Sequence, residues 1–80
     1  MTIRDMINNG VTLQGHVKIQ CWGPLDFPDI FYEGNIEEDG FNKIEKYLDR
    51  DIKYIFPYVI NIGQRNPVWH GAICIEIEEE

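Results

Sequence analysis

The chain predicts a small α+β fold: a four- to five-stranded antiparallel sheet, short enough to curl strongly, with two short helices in the order α-β(-β)-β-α-β-β. Three observations predict it. Apolar residues recur at helical spacing in two places, Ile3, Met6 and Ile7, then Phe41, Ile44 and Leu48. Over residues 11–21, 52–60 and 73–77 they alternate with the period of a strand instead. Glycine, proline and asparagine punctuate these stretches at residues 8–10, 22–24 and 61–67. Eighty residues support one domain, 1–80, whose core is marginal because a chain this short buries only roughly 60% of its unfolded surface.

Thr2 opens the first helix. Its side chain can accept a bond from the free backbone N–H groups, and Asp5, three residues on, answers from the first turn at the positive dipole end. Gly10 ends this helix, since glycine takes the left-handed conformation that a helix stop needs. A helix of two turns at most is held by packing alone.

From Val11 the period changes. Val11, Leu13, Val17, Ile19 and Cys21 share one parity, and Thr12, Gln14, His16, Lys18 and Gln20 the other, which predicts a half-buried strand or strand pair. Gly15 marks a bulge, bend or tight turn within it. A loop at 25–28 leads to a strand over 29–34, where Ile30, Phe31 and Tyr32 are β-favouring types and Pro28 suits a first strand position or an edge. Glu37, Glu38, Asp39 and Gly40 read as an acidic turn. A second helix follows over 41–48, with the acids at its N-terminus.

Ile52, Tyr54, Phe56, Tyr58 and Ile60 alternate again, and Ile55 with Val59 makes the opposite face apolar too. That predicts a strand inside the sheet, covered on both sides, with a bulge at Pro57 to absorb its missing ladder donor. After a polar loop around Gly63 the last strand runs from about residue 69 to 78. Ile73, Ile75 and Ile77 face inward in this reading, and Cys74, Glu76 and Glu78 outward. The expected core comprises Ile19, Ile44, Ile52, Tyr54, Ile73 and Ile75.

The formal net charge of −7 is unevenly spread: +1 over residues 1–25, −6 over 26–51 and −2 over the remainder. Such a surface repels phosphate backbones, which lysine and arginine must neutralise, so neither direct nucleic-acid binding nor attachment to an anionic membrane is expected. The apolar runs fall far short of the roughly 20 residues needed to cross a bilayer. The N-terminus does not resemble a secretory signal. The chain therefore reads as cytoplasmic, with Cys21 and Cys74 as reduced thiols.

Taken in order, several short segments resemble a group of small, acidic, uncharacterised proteins from phages and mobile elements of Firmicutes. They are the helix Thr2-Ile3-Arg4-Asp5-Met6-Ile7, the passage through Asn9-Gly10 into Val11-Thr12-Leu13-Gln14-Gly15, Trp22, Phe31-Tyr32-Glu33-Gly34, Asp51-Ile52-Lys53-Tyr54-Ile55 and the Ile75-Glu76-Ile77-Glu78 ending. The segment between Tyr58 and Ala72 is longer here than in that group. The resemblance implies an accessory role in a mobile element and brings no catalytic residues with it.

Motifs that would carry chemistry are weak. His16, Cys21, His70 and Cys74 are a conceivable zinc set, but His16 and Cys21 differ in strand parity, and His70 and Cys74 lie about 13 Å apart on an extended strand. Neither cysteine opens a helix, where a thiolate would be activated, and burial as a small hydrophobe is the simpler role. Serine is absent, and Thr2 and Thr12 are the only threonines. Glu37, Glu38 and Asp39 are consecutive and directly followed by Gly40, unlike the alternating ligands of a calcium loop. No phosphate-binding loop, dinucleotide fingerprint or nucleophile elbow occurs. The expectation is no catalytic residue, no cofactor and no metal.

Ten aromatic residues are many for so small an interior. Core packing is the simplest role for each one, yet as a set they predict an exposed aromatic patch of the kind that interfaces favour. The leading reading is a non-catalytic module that binds a host or phage protein, or a second copy of itself. Its surface would combine the acidic segment 26–51, notably Glu37, Glu38 and Asp39, with the aromatics Trp22, Phe31 and Trp69. Charge would set approach and the aromatics residence time. The alternative is an acidic inhibitor that mimics nucleic acid in the groove of a nuclease or defence complex. An enzyme or metal protein stands third.

Overall fold

The computed structural model describes residues 1–23 and 27–79, so Leu25 and Asp26 of the expected loop lie outside the described residues. Helix α1 (Ile3–Asn8) begins with the capping box that the sequence predicts. The Thr2 hydroxyl accepts from the Asp5 backbone N–H at 3.1 Å, and the Asp5 carboxylate accepts from the Thr2 N–H at 2.9 Å. Gly10, at φ 88°, turns the chain out of the helix. Regular strand starts later than the alternation suggests, at His16, because Gly15 takes a left-handed φ of 72° and breaks the extended run.

Four strands, β1 (His16–Trp22), β2 (Pro28–Asn35), β3 (Ile52–Asn61) and β4 (Trp69–Ile77), form a sheet of order β2-β1-β4-β3. The α+β class is as expected, and one feature is corrected: the sheet is mixed. β1 and β4 run parallel, with Val17 beside Ile73 and Ile19 beside Ile75, while β1–β2 and β3–β4 are antiparallel. Parallel neighbours need a crossover. Helix α2 (Ile36–Asp39) and a 3₁₀ helix (Phe41–Tyr47) supply it, carrying the chain from one sheet edge to the other. The helix expected over 41–48 is this 3₁₀ helix, and the residues expected as an acidic turn form α2 instead. Asn35 caps α2 by accepting from the N–H groups of Glu37 and Glu38, and Gly40 at φ 79° ends it.

β3 is an edge strand, against the expectation that it lies inside the sheet. Pro57 supplies the reason. Ile62 N–H donates to the Val68 carbonyl at 2.9 Å, and bonded pairs alternate along an antiparallel ladder. Phe56–Cys74 and Tyr58–Ala72 are therefore bonded pairs, and the nitrogen of Pro57 between them faces the open edge, where no donor is needed. The register shift of this strand falls between Ile52 and Tyr54, not at Pro57.

The core lies between the helices and one sheet face. Val17, Ile19, Cys21, Ile75 and Ile77 pack there against Ile3, Met6, Leu13, Ile36, Ile44 and Leu48. Arg4 ties α1 to the end of the 3₁₀ helix: its backbone N–H donates to the Leu48 carbonyl at 2.9 Å, and its guanidinium pairs with Asp49 at 2.6 Å. That hydrogen bond holds the Asp49 carboxyl below the usual carboxylate range. Of the expected core, Ile19, Ile44 and Ile75 are fully buried, Ile52 and Ile73 half-buried, and Tyr54 is exposed, a correction that follows from its edge position.

Cys74 and Glu76 are corrected in the opposite sense. Expected to face outward, both are buried, because β4 is central and its second face is also covered. Gln20 donates to Glu76 at 3.3 Å on that face. Beside them the Tyr58 hydroxyl on β3 donates to Glu33 on β2 at 3.1 Å, although these strands lie about 14 Å apart in a flat sheet. The two long side chains reach across the middle of the sheet from its opposite edges, and the small Ala72 beside Tyr58 leaves room for the ring to lie across.

Ile75→Ala should cost about 2–5 kcal/mol in urea unfolding. Tyr54→Ala should stay within about 0.5 kcal/mol of the parent, since its ring stands mostly in solvent. A large loss at Tyr54 would place β3 inside the sheet after all.

Candidate protein-binding surface

The residues singled out in the sequence do not come together. Trp22 ends β1 and is 44% exposed, while Trp69 begins β4 and is 65% exposed. The two mark opposite ends of the sheet, because β1 and β4 run parallel and Trp69 lies beyond the His16–Ala72 pair. Phe31 is half-buried: its ring stacks on Tyr47 at 4.9 Å, with the Arg50 guanidinium over it, so core packing occupies it. Glu37, Glu38 and Asp39 are exposed on α2, and Asp39 accepts from the Tyr32 hydroxyl at 2.7 Å. Further acids, Asp49, Asp51, Glu78 and Glu79, line a cleft with Arg50 elsewhere on the surface.

The structure draws attention instead to the β3–β4 hairpin, which only Trp69 represents among the predicted residues. β1 starts at the level of Ala72 and Tyr58, so Val59, Ile60 and Asn61 on one strand, with Trp69, His70 and Gly71 on the other, extend past it as an arm. No β1 residue supports this extension, and the apolar parity of the sheet continues onto it uncovered. Ile55, Val59 and Trp69 share the helix-facing side, where the core cluster stops at Ile73. Val59 is 62% exposed, and Ile62 and Val68 at the tip are exposed as well. Single exposed apolar residues are ordinary, and several on one hairpin make it the candidate surface of this fold.

The arm is built to hold its shape. The Asn61 side-chain oxygen accepts from the N–H groups of both Gly63 and Val68, closing the turn. A Cβ on Gly63 would collide with the Asn66 carbonyl oxygen, so the turn admits only glycine there. The sequence signal that could have found the surface is the run of apolar residues on both parities of β3 around an edge-type proline.

On the second sheet face, Glu33 accepts from Tyr58 and lies 3.3 Å from the His16 ring, and the Lys18 ammonium sits 4.4 Å over the Tyr58 ring. Burial pushes the Cys74 thiol up, with Glu76 and Glu33 adding to the shift against Lys18. A thiol held protonated is a poor nucleophile. Among the described residues no three His, Cys, Asp or Glu side chains are grouped to hold a metal ion, and no helix is long and apolar enough to cross a membrane. Comparison with protein-family models, curated proteins and solved structures gives no match.

Tyr58 should ionise only above the usual phenol range, because burial and then the Glu33 carboxylate disfavour its phenolate. Tyr32 is pushed up to about 12 by burial and by Asp39. Both folded values lie above the unfolded ones. Their stabilisation is therefore complete below about pH 10 and is lost as the pH rises through the folded values. Ultraviolet titration should show two late phenolates, one lost in Tyr58→Phe and the other in Tyr32→Phe; a Tyr58→Phe variant that keeps both would separate Tyr58 from Glu33. Gly63→Ala should cost about 1–3 kcal/mol and speed amide exchange over residues 59–62. Unchanged exchange there would mean that the turn does not hold the arm.

Proposed function

We propose that this chain is a non-catalytic protein-interaction module, accessory in the manner of the phage and mobile-element proteins it resembles, and that it docks its protein partner through the β3–β4 arm. The observation that carries this reading is the uncovered apolar side of the arm at Val59 and Trp69, beyond a core that ends at Ile73, with Ile55 exposed on the same side of β3. A chain of this size gains stability by burying such residues, and this one holds them out on a closed turn. Charge supports the same division of labour: residues 52–75 contain no acid, although the chain has 14. The acidic remainder, including Glu37 and Glu38, would steer approach, and the arm would hold the complex.

The test uses a tagged copy and scores any untagged protein it retains from a native host extract, including further copies of this chain. Val59→Lys combined with Trp69→Ala should release the retained protein. Glu37→Lys with Glu38→Lys should keep it while changing the rate and salt dependence of association. Retention that survives the arm variant overturns the proposal.

A further inference from the structure

We infer that the Tyr58 side chain is a hinged strap across the second sheet face, latched on Glu33, and that it swings open without unfolding of the sheet to gate access to Cys74. Cys74 is fully buried, although it points away from the helical layer. Its neighbours on that face come from the strands: Lys18 and Phe56 pair with it, and Ala72 and Glu76 flank it on β4. Tyr58 lies over them. Its backbone is on β3 beside Ala72 and its hydroxyl reaches Glu33 on β2, so the side chain passes over β4 and β1. Glu33, Lys18 and Cys74 stand level across three strands, and the ring leans toward that row, with the Lys18 ammonium 4.4 Å from its centre. The Cys74 sulfur is near enough that its charge would oppose the Tyr58 phenolate.

The way Tyr58 is held makes it a hinge. Tyr32 and Tyr47 pack against the apolar core, whereas Tyr58 is half-buried among polar groups. Glu33 accepts from its hydroxyl at 3.1 Å, Lys18 rests on its face, and the His16 ring meets it edge-on at 6.2 Å. β3 is the edge of the sheet, so rotation about the side-chain bonds turns the ring outward into solvent. The latch stays behind, because the same Glu33 oxygen lies 3.3 Å from His16.

Opening strands no charge. Lys18 and Glu33 are directly opposed on neighbouring strands, so the ammonium that rests on the ring in the closed state can pair with the carboxylate that Tyr58 releases. Two discrete arrangements of the same polar groups are what a switch requires. The open one brings Cys74 to solvent beside Lys18, which favours the thiolate, and relieves the burial that disfavours it.

Reaction of the intact chain with iodoacetamide, followed at Cys74 by mass spectrometry over urea concentrations below the unfolding transition, tests this. Cys74 should react at a rate nearly independent of urea, because a side-chain rotation exposes little surface. Tyr58→Phe keeps the ring and removes the bond to Glu33, and should speed the reaction about tenfold, still without urea dependence. Glu33→Ala should do the same, and the double variant should add little to either, since both remove one bond. A Cys74 that reacts only with the urea dependence of global unfolding overturns the strap, as does a rate that Tyr58→Phe leaves unchanged. Single-variant effects that simply multiply in the double variant overturn Glu33 as the latch.

Discussion

The parallel pairing of β1 with β4 is the constraint on which the rest of the structure depends. It places the strand after the first helix beside the last strand of the chain, so the middle of the sheet is made of residues far apart in sequence. β2 and β3 are then left with only the edges. The helical segment between them becomes the crossover, and it is held down by packing Ile36, Ile44 and Leu48 on the same apolar face that Val17, Ile19, Ile75 and Ile77 present. The first helix closes that layer through Arg4, whose bonds to Leu48 and Asp49 join the start of the chain to the end of the crossover.

The same constraint explains the polar interior of the second face. Central strands are covered on both sides, yet β1 and β4 put Gln20, Lys18, Cys74 and Glu76 on the side away from the helices. The edge residues Tyr58 and Glu33 meet this by bridging over the middle of the sheet. The buried carboxylate of Glu76 keeps Gln20 as its partner. These bonds involve residues from all four strands, so the polar cover ties the sheet together from edge to edge. Such an arrangement leaves little slack for the rest of β3, whose far end continues past β1 with nothing to lean on.

That unsupported end is where fold and proposed function meet. A longer helical layer would have covered Ile55, Val59 and Trp69 and turned the arm into ordinary core. The layer stops short, and the turn bonded by Asn61 around Gly63 keeps the arm extended. The acids lie on other elements, on α2 and around Arg50. The apolar and charged features, which read in sequence as one mixed surface, thus belong to different elements of the fold.

The sequence by itself determined the local pieces, because their causes are local. Thr2 and Asp5 cap the first helix through atoms three residues apart, Gly10 and Gly15 supply left-handed turns, and the alternation over residues 52–60 and 73–77 makes strands wherever they are placed. The exposure of Trp69 was legible from the aromatic surplus. Strand order was not: β3 is apolar on both parities and looks central, whereas β4 alternates with glutamate and looks half-exposed. Tertiary structure reversed them, since the strand that pairs on both sides must donate along both sides and Pro57 cannot, while Glu76 can be buried once Gln20 lies beside it. That partner is 56 residues away, and no local pattern announces it. The bare arm follows from the same non-local choice, because only the level at which β1 begins beside β4 decides which residues of the hairpin are left uncovered.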